Sequence, residues 1–399
     1  MSTSLRDQVI LLTASALFMA SSPEVAVRPT VYIATTSELY AAVNDSANSG
    51  AVVVLAPGSY VLDPSQPNGG RLELQPDMAL EGVHGNSEAH DDSEAVVIDA
   101  SALPATSYQI GPFLTGAIRM GRGVNAIKWL TVQAATNGAA AIETDLPSMI
   151  ASVRIAHVIL QGGQRGIDVR NLGPGQAGRI LVAVLEDNLL RDNRLGEGMG
   201  IRFVNASGAD HATIRATLRS NHSMRNLSGC DAANLNTNEG TILIDSRADR
   251  FAANVHGCTL FASASIGAAA SNANDNTLRF VAHGSVFTDN SGPLPANIPW
   301  AGGVVALGGA NGTGVPRREN RNSLQIRLWG TSFGRNQIVD INAFGGVSLN
   351  PMVFPGSGNH VDIELHGVSK FATCLVTPSS PADPDGSNTV SIVPMVQCL

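Results

Sequence analysis

Ala141-Ile142-Glu143-Thr144-Asp145, Gly166-Ile167-Asp168-Val169-Arg170 and Gly200-Ile201-Arg202-Phe203-Val204 align position for position. In an extended chain successive side chains point to opposite faces. If the three stretches stack in register, Ile142, Ile167 and Ile201 point inward. Glu143, Asp168 and Arg202 then form a column on the outer surface, and Asp145 and Arg170 a second column two residues on. A chain that brings such distant residues to equivalent positions winds as a solenoid, one coil per repeat.

The same rhythm recurs on either side. Short runs of alternating apolar and small or polar residues close on Gly or Asn, and each is led by a large apolar residue: Leu130, Leu160, Leu190, Met224, Leu260, Phe287, Phe333 and Phe371. One coil cannot enclose a core, but stacking sets each leading residue over its equivalent. Each burial adds about 2 kcal/mol at about 25 cal/mol per Å². The spacing is uneven, so the excess is expected in loops at Cys230–Asn238, Gly292–Trp300, Gly308–Asn322 and Asn350–Gly358. Asn193, Asn226, Asn290 and Asn336 fall at turns and predict a stacked amide ladder, Asn being tolerant of left-handed geometry.

With 399 residues, 41 glycines, 5% aromatic and 15% charged residues, the chain suits many short strands in one repeat array. A net charge of −8 argues against a nucleic-acid partner. The apolar run Val9–Ala20 is too short to span a bilayer and reads as the core of a secretory leader over residues 1–28, the plain alternative being a short amphipathic helix that closes the solenoid's open end. A secreted, periplasmic or cell-surface location follows, with one solenoid domain over residues 29–399. Four cysteines fit an oxidising compartment: Cys374 and Cys398 are candidates to staple a C-terminal cap over residues 374–399, and Cys230 and Cys258 either pair or stay buried thiols.

Near the start, Thr35 and Glu38 form a capping box before the helical stripe Leu39, Ala42 and Val43. Val53-Val54-Leu55-Ala56-Pro57-Gly58-Ser59-Tyr60 then reads strand, turn, strand, and Leu80-Glu81-Gly82-Val83-His84-Gly85 follows. A capping helix, this turn and the Leu-Glu-Gly-Val segment resemble the entry of right-handed parallel β-helix proteins of the pectin-lyase-like superfamily, from about Val31 onward. The resemblance implies an all-β, single-domain right-handed parallel β-helix that acts on or binds polysaccharide. In pectate lyases of the superfamily it further implies acidic calcium ligands and a catalytic arginine on one outer sheet. The paired-aspartate and His-Gly motifs of polygalacturonases have no counterpart, since His256-Gly257 and His283-Gly284 lack partner aspartates.

The residues themselves offer a site in the outer columns. Glu143, Asp168 and Asp145 are candidate ligands for Ca²⁺, and Arg202, Arg170, Asp168 and Glu143 are candidate catalytic groups. A cation would neutralise a uronate carboxylate and acidify the C5 proton for a basic side chain to remove. Two carboxylates one rung apart could also serve as the acid and base of a glycoside hydrolase. The plain alternative is an exposed charge ladder in which an arginine offsets two acids.

Other clusters have plainer expectations. Glu186–Glu197 is read as a solvated turn with Asn188 and Asn193 bonded to backbone, and Gly308–Gly314 as a flexible loop. His222, His256 and His283 are read as scattered, Trp129 and Trp329 as core. Trp300 is either a sugar-stacking residue or a loop anchor. Two function classes stay open: a calcium-assisted polysaccharide lyase or related hydrolase, and a non-catalytic surface or adhesion protein binding glycans, as a monomer or as rods associated side by side.

Overall fold

The computed structural model describes residues 28–85, 91–104, 116–135, 140–195, 198–265, 273–291, 302–312, 320–348, 356–380 and 387–394. The expected leader, Trp300 and Cys398 lie outside them. Among the described residues the strands form three sheets of twelve, nine and ten strands, and every strand pairs in parallel with the coils above and below. Each coil gives one strand to each sheet, which makes the molecule the parallel β-helix expected from sequence. In one coil these are Ile180–Glu186, Leu189–Arg191 and Met199–Ala206. The helix Thr36–Asn44 starts on the expected capping box and buries Leu39, Tyr40, Ala42 and Val43 in the main core. The chain's last two strands, Cys374–Ser380 and Thr389–Val393, extend the ten- and twelve-stranded sheets.

The isoleucine register is as read: Ile142 pairs with Ile167 and Ile167 with Ile201, all fully buried. The leading residues are right in part. The inward column of the nine-stranded sheet runs Val132, Leu160, Leu190, Ser223, Phe251, Phe287, Phe333. Leu130 and Met224 are out of phase, and Leu260 belongs to the ten-stranded sheet. A three-residue strand has one inward position, so apolar flanks mislead. Phe251, Phe287 and Phe333 stack with centroids 5.1 and 5.3 Å apart. Ser223 fits this column because its hydroxyl donates to Gly229 O at 2.7 Å and accepts from Asn226 at 3.0 Å.

Gly166, Gly200, Gly229, Gly257 and Gly303 stand at the entry to five successive long strands of the ten-stranded sheet. A Cβ on Gly166, Gly229 or Gly257 would stand 2.5–2.6 Å from the carbonyl oxygen of the glycine one rung on. Any side chain there would force the rungs apart. The amide ladder also forms, with Asn254 added between Asn226 and Asn290. Its geometry corrects one detail. The left-handed residue is the one before each amide, as at Asp192 (φ 58), Arg225 (φ 55) and Ala253 (φ 55). The asparagine is needed for its side-chain amide, which satisfies backbone groups of two coils at once. Cys230 and Cys258 are in register on adjacent rungs, and both are free, buried thiols. Cys230–Asn238 is not a loop: Ser228–Leu235 is a strand buried on both faces. Gly308 likewise lies inside the strand Val304–Asn311.

Candidate functional site

The predicted column exists and is longer than expected. Glu73, Arg119, Glu143, Asp168, Arg202, Asp231 and Thr259 succeed one another in register along the ten-stranded sheet. It is not on an open surface. Glu143 and Asp168 are fully buried, and Asp145, Arg170 and Arg202 nearly so. Long strands of this sheet bury both faces, as in Met199–Ala206 and Ser228–Leu235, so the expected exposed ladder is corrected to a buried one.

Burial of charge requires pairing, and the pairs are present. Arg170 Nη2 lies 2.6 Å from Glu143 Oε1 and 3.0 Å from Asp145 Oδ2, with Nη1 3.8 Å from Asp168 Oδ2. Arg119 Nε donates to Asp145 at 3.2 Å and its Nη1 pairs with Glu73, while Arg165 pairs with Asp168. Gly116 N–H donates to Glu143 Oε2 at 2.9 Å. Burial pushes the Glu143 carboxyl above its usual range, opposed by Arg170. Burial also acts on Asp168, but Arg165, Arg202 and Arg170 together hold it below the usual range. Arg170, despite its own burial, is held more firmly protonated by Glu143, Asp145 and Asp168. A guanidinium so held is the opposite of a catalytic base.

The arrangement does not fit calcium. Glu143, Asp145 and Asp168 each already face at least one arginine, so a cation would have to displace guanidinium groups and then sit beside them. Among the described residues no group of three or more His, Cys, Asp or Glu side chains could hold a metal ion. His222, His256 and His283 fall on the nine-, ten- and twelve-stranded sheets respectively, scattered as expected. Within Glu186–Glu197, Asn188 bonds backbone as expected, its amide donating to Ile155 O at 2.9 Å and its oxygen accepting from Val158 N–H at 3.2 Å.

The open face belongs to the twelve-stranded sheet, where side chains alternate between core and outside. Trp129 is buried as expected, but at a turn, stacked 3.9 Å from His157. Trp329 is corrected: it ends the strand Ser323–Trp329, is 41% exposed, and stacks on His366 with ring centres 3.7 Å apart and planes 9° from parallel. His283, one rung back, lies 6.3 Å away at 15°. From His283 the face continues into a cavity of about 400 Å³ lined by Val182, Arg215, Thr217, Leu243, Asp245, Arg279 and Val281 among others. Aligning the strands Thr213–Arg219, Thr241–Arg247, Thr277–His283 and Ser323–Trp329, which share a strict alternation, would have exposed this face in the sequence.

No family model matches the chain, and no curated protein matches it. Solved structures similar to it include the A-module of an Azotobacter vinelandii mannuronan C-5 epimerase, at 13% identity over 91% of this chain and 94% of that one, TM-score 0.36. A pectate lyase is similar at 12% identity over 77% and 76%, TM-score 0.39. The catalytic domain of a GH87 α-1,3-glucanase in complex with nigerose is similar at 10% identity over 93% and 69%, TM-score 0.37. Among the described residues no helix is long and apolar enough to cross a membrane. The three parallel sheets themselves identify the chain as a parallel β-helix protein.

Proposed function

We propose that this protein binds a polysaccharide along the outer face of its twelve-stranded sheet. The observation that carries the reading is the His283–Trp329–His366 ledge, a partly open stack of aromatic rings that runs into a cavity lined by both polar and apolar side chains. The apolar C–H groups of a pyranose ring can pack against the open side of such a stack, while its hydroxyls need polar neighbours. His366 Nε2, 3.3 Å from Glu364, and the Arg327–Glu364 pair at 3.1 Å supply them beside the ledge. Binding is favoured over a lyase or hydrolase reaction at Glu143, Asp168, Arg170 and Arg202, because those groups are buried and spent on one another. A polymer of this kind is met outside the cytoplasm, which suits the leader-like start of the chain.

The test is a glycan panel read by intrinsic fluorescence and by sedimentation with insoluble polysaccharides. Wild-type protein should bind at least one polymer, and Trp329→Ala should weaken binding about tenfold while melting as wild type does. Unchanged affinity in Trp329→Ala would remove the ledge from the binding surface.

A further inference from the structure

Arginines on the outer face of the twelve-stranded sheet mostly have carboxylate partners. Arg154 and Arg219 both reach Glu186, at 2.6 and 3.0 Å. Arg247 pairs with Asp245 at 2.7 Å and Arg327 with Glu364 at 3.1 Å. Arg215 and Arg279 differ: among the described residues neither makes an ion pair, and the buried Arg279 Nε has no hydrogen-bond partner. Both line the cavity. They stand in one register column with Leu243 between them, so they are two rungs apart, roughly 10 Å.

Charge sharpens the contrast. Two guanidiniums, Arg215 and Arg279, line the cavity with one carboxylate, Asp245, which Arg247 already pairs, on a chain whose net charge is −8. The cavity is therefore locally positive on an acidic protein, and a surface patch of that sign attracts an anion. Leu243 between them, with Val182 on the far side of Arg215 and Val281 on the strand of Arg279, gives the cavity an apolar lining that suits the carbon skeleton of a sugar unit. Thr217 adds a hydroxyl at the rim.

We propose that this cavity is an anion subsite, taking the carboxylate or sulfate groups of an acidic polysaccharide between Arg215 and Arg279. The inference rests on the reading of this face as a glycan-binding surface and names the chemical class of its ligand. Guanidinium forks match planar or tetrahedral oxyanions, and the spacing of the two arginines suits a polymer with anionic groups on alternate units. Neither arginine has a structural partner to lose, so replacing it leaves the fold intact.

The experiment measures affinity of the full chain for an oligouronate, a sulfated dextran oligomer and a neutral dextran of equal length, with Arg215→Gln, Arg279→Gln and Trp329→Ala variants. Each arginine variant should lose about tenfold in affinity for the anionic oligomers, keep its affinity for any neutral one and melt as wild type does. The salt dependence of anionic binding should fall with each arginine removed. Preference between oligouronate and sulfated oligomer assigns the anion. If wild type binds neutral dextran and neither anionic oligomer, or if the arginine variants bind anionic oligomers as wild type does, the inference is overturned while the ledge reading stands. If no oligomer binds but inorganic sulfate raises the melting temperature of wild type and not of Arg279→Gln, the anion site stands and the polysaccharide reading falls. No response to any oligomer or to sulfate overturns both.

Discussion

Arg170 and Glu143 are joined at 2.6 Å in a place where Glu143 has no solvent exposure and Arg170 almost none. The pair is part of the fold's cohesion. Removing one partner of a buried pair strands the other, at a cost of about 3–5 kcal/mol. Arg170→Ala should therefore lower the urea midpoint strongly, and Glu143→Gln, which keeps a hydrogen-bond acceptor, should lower it less. Arg247→Ala, which frees the exposed Asp245, should leave the midpoint unchanged. Equal midpoints for Arg170→Ala and Arg247→Ala would show the buried network to be energetically idle.

The paired state of Glu143, Asp145 and Asp168 bears on metal dependence as well. Millimolar calcium, or its removal by chelation, should leave the melting temperature of the full chain unchanged, because the carboxylates already hold arginines. A calcium-dependent rise that Asp168→Asn abolishes would contradict the arginine-held network.

Asp249 stands where the ladder Asn188–Asn221 would continue with another asparagine. It accepts from Asn221 N–H at 2.7 Å, from the Asn221 amide at 2.8 Å and from Ser246 Oγ at 2.6 Å. Burial raises its carboxyl to about 6 even so. An unfolded aspartate titrates near about 3.9, so between these values the native state holds a proton that the unfolded chain has released. Stability contributed by this group is thus full below the unfolded value and is lost as pH rises through the folded one, by about 3 kcal/mol in all. Asp249→Asn should flatten that slope and melt higher than wild type at neutral pH, as followed by circular dichroism across the window. A lower neutral-pH melting temperature would mean that the charged carboxylate is required.

Gly229→Ala tests the close approach of the coils. The added Cβ would meet Gly257 O at 2.6 Å and Asn254 Nδ2 at 2.7 Å, and that amide is held by its bond to Ser223 O. Overpacking against backbone costs about 1–3 kcal/mol or more. Gly175→Ala, with open space around it, is the control and should melt as wild type does.

What could be read from the sequence divides along physical lines. The register of Ile142, Ile167 and Ile201 was legible, because a one-residue slip would turn each isoleucine out of the core. It placed Glu143 beside Asp168 correctly. Their burial was not legible, since alternation reports which face a side chain is on and says nothing about what covers that face. Residue type favours Met224 over Ser223 for the inward position, yet a serine satisfied by Gly229 O can occupy an apolar column. A strand pattern around Trp329 suggests a core place, although the alternation Leu324, Ile326, Leu328 puts it outside. Arg215 and Arg279 become neighbours only when the strands of the twelve-stranded sheet are aligned with each other.

The glycines that admit each coil so close to the next also set a scale. With the pitch fixed at roughly 4.8 Å, outward groups recur like graduations on a ruler. A linear polymer laid along the axis is therefore measured in whole divisions, and its affinity should climb in steps with chain length. Loss or gain of one complete turn would move the readings by a single graduation and leave every other mark where it was.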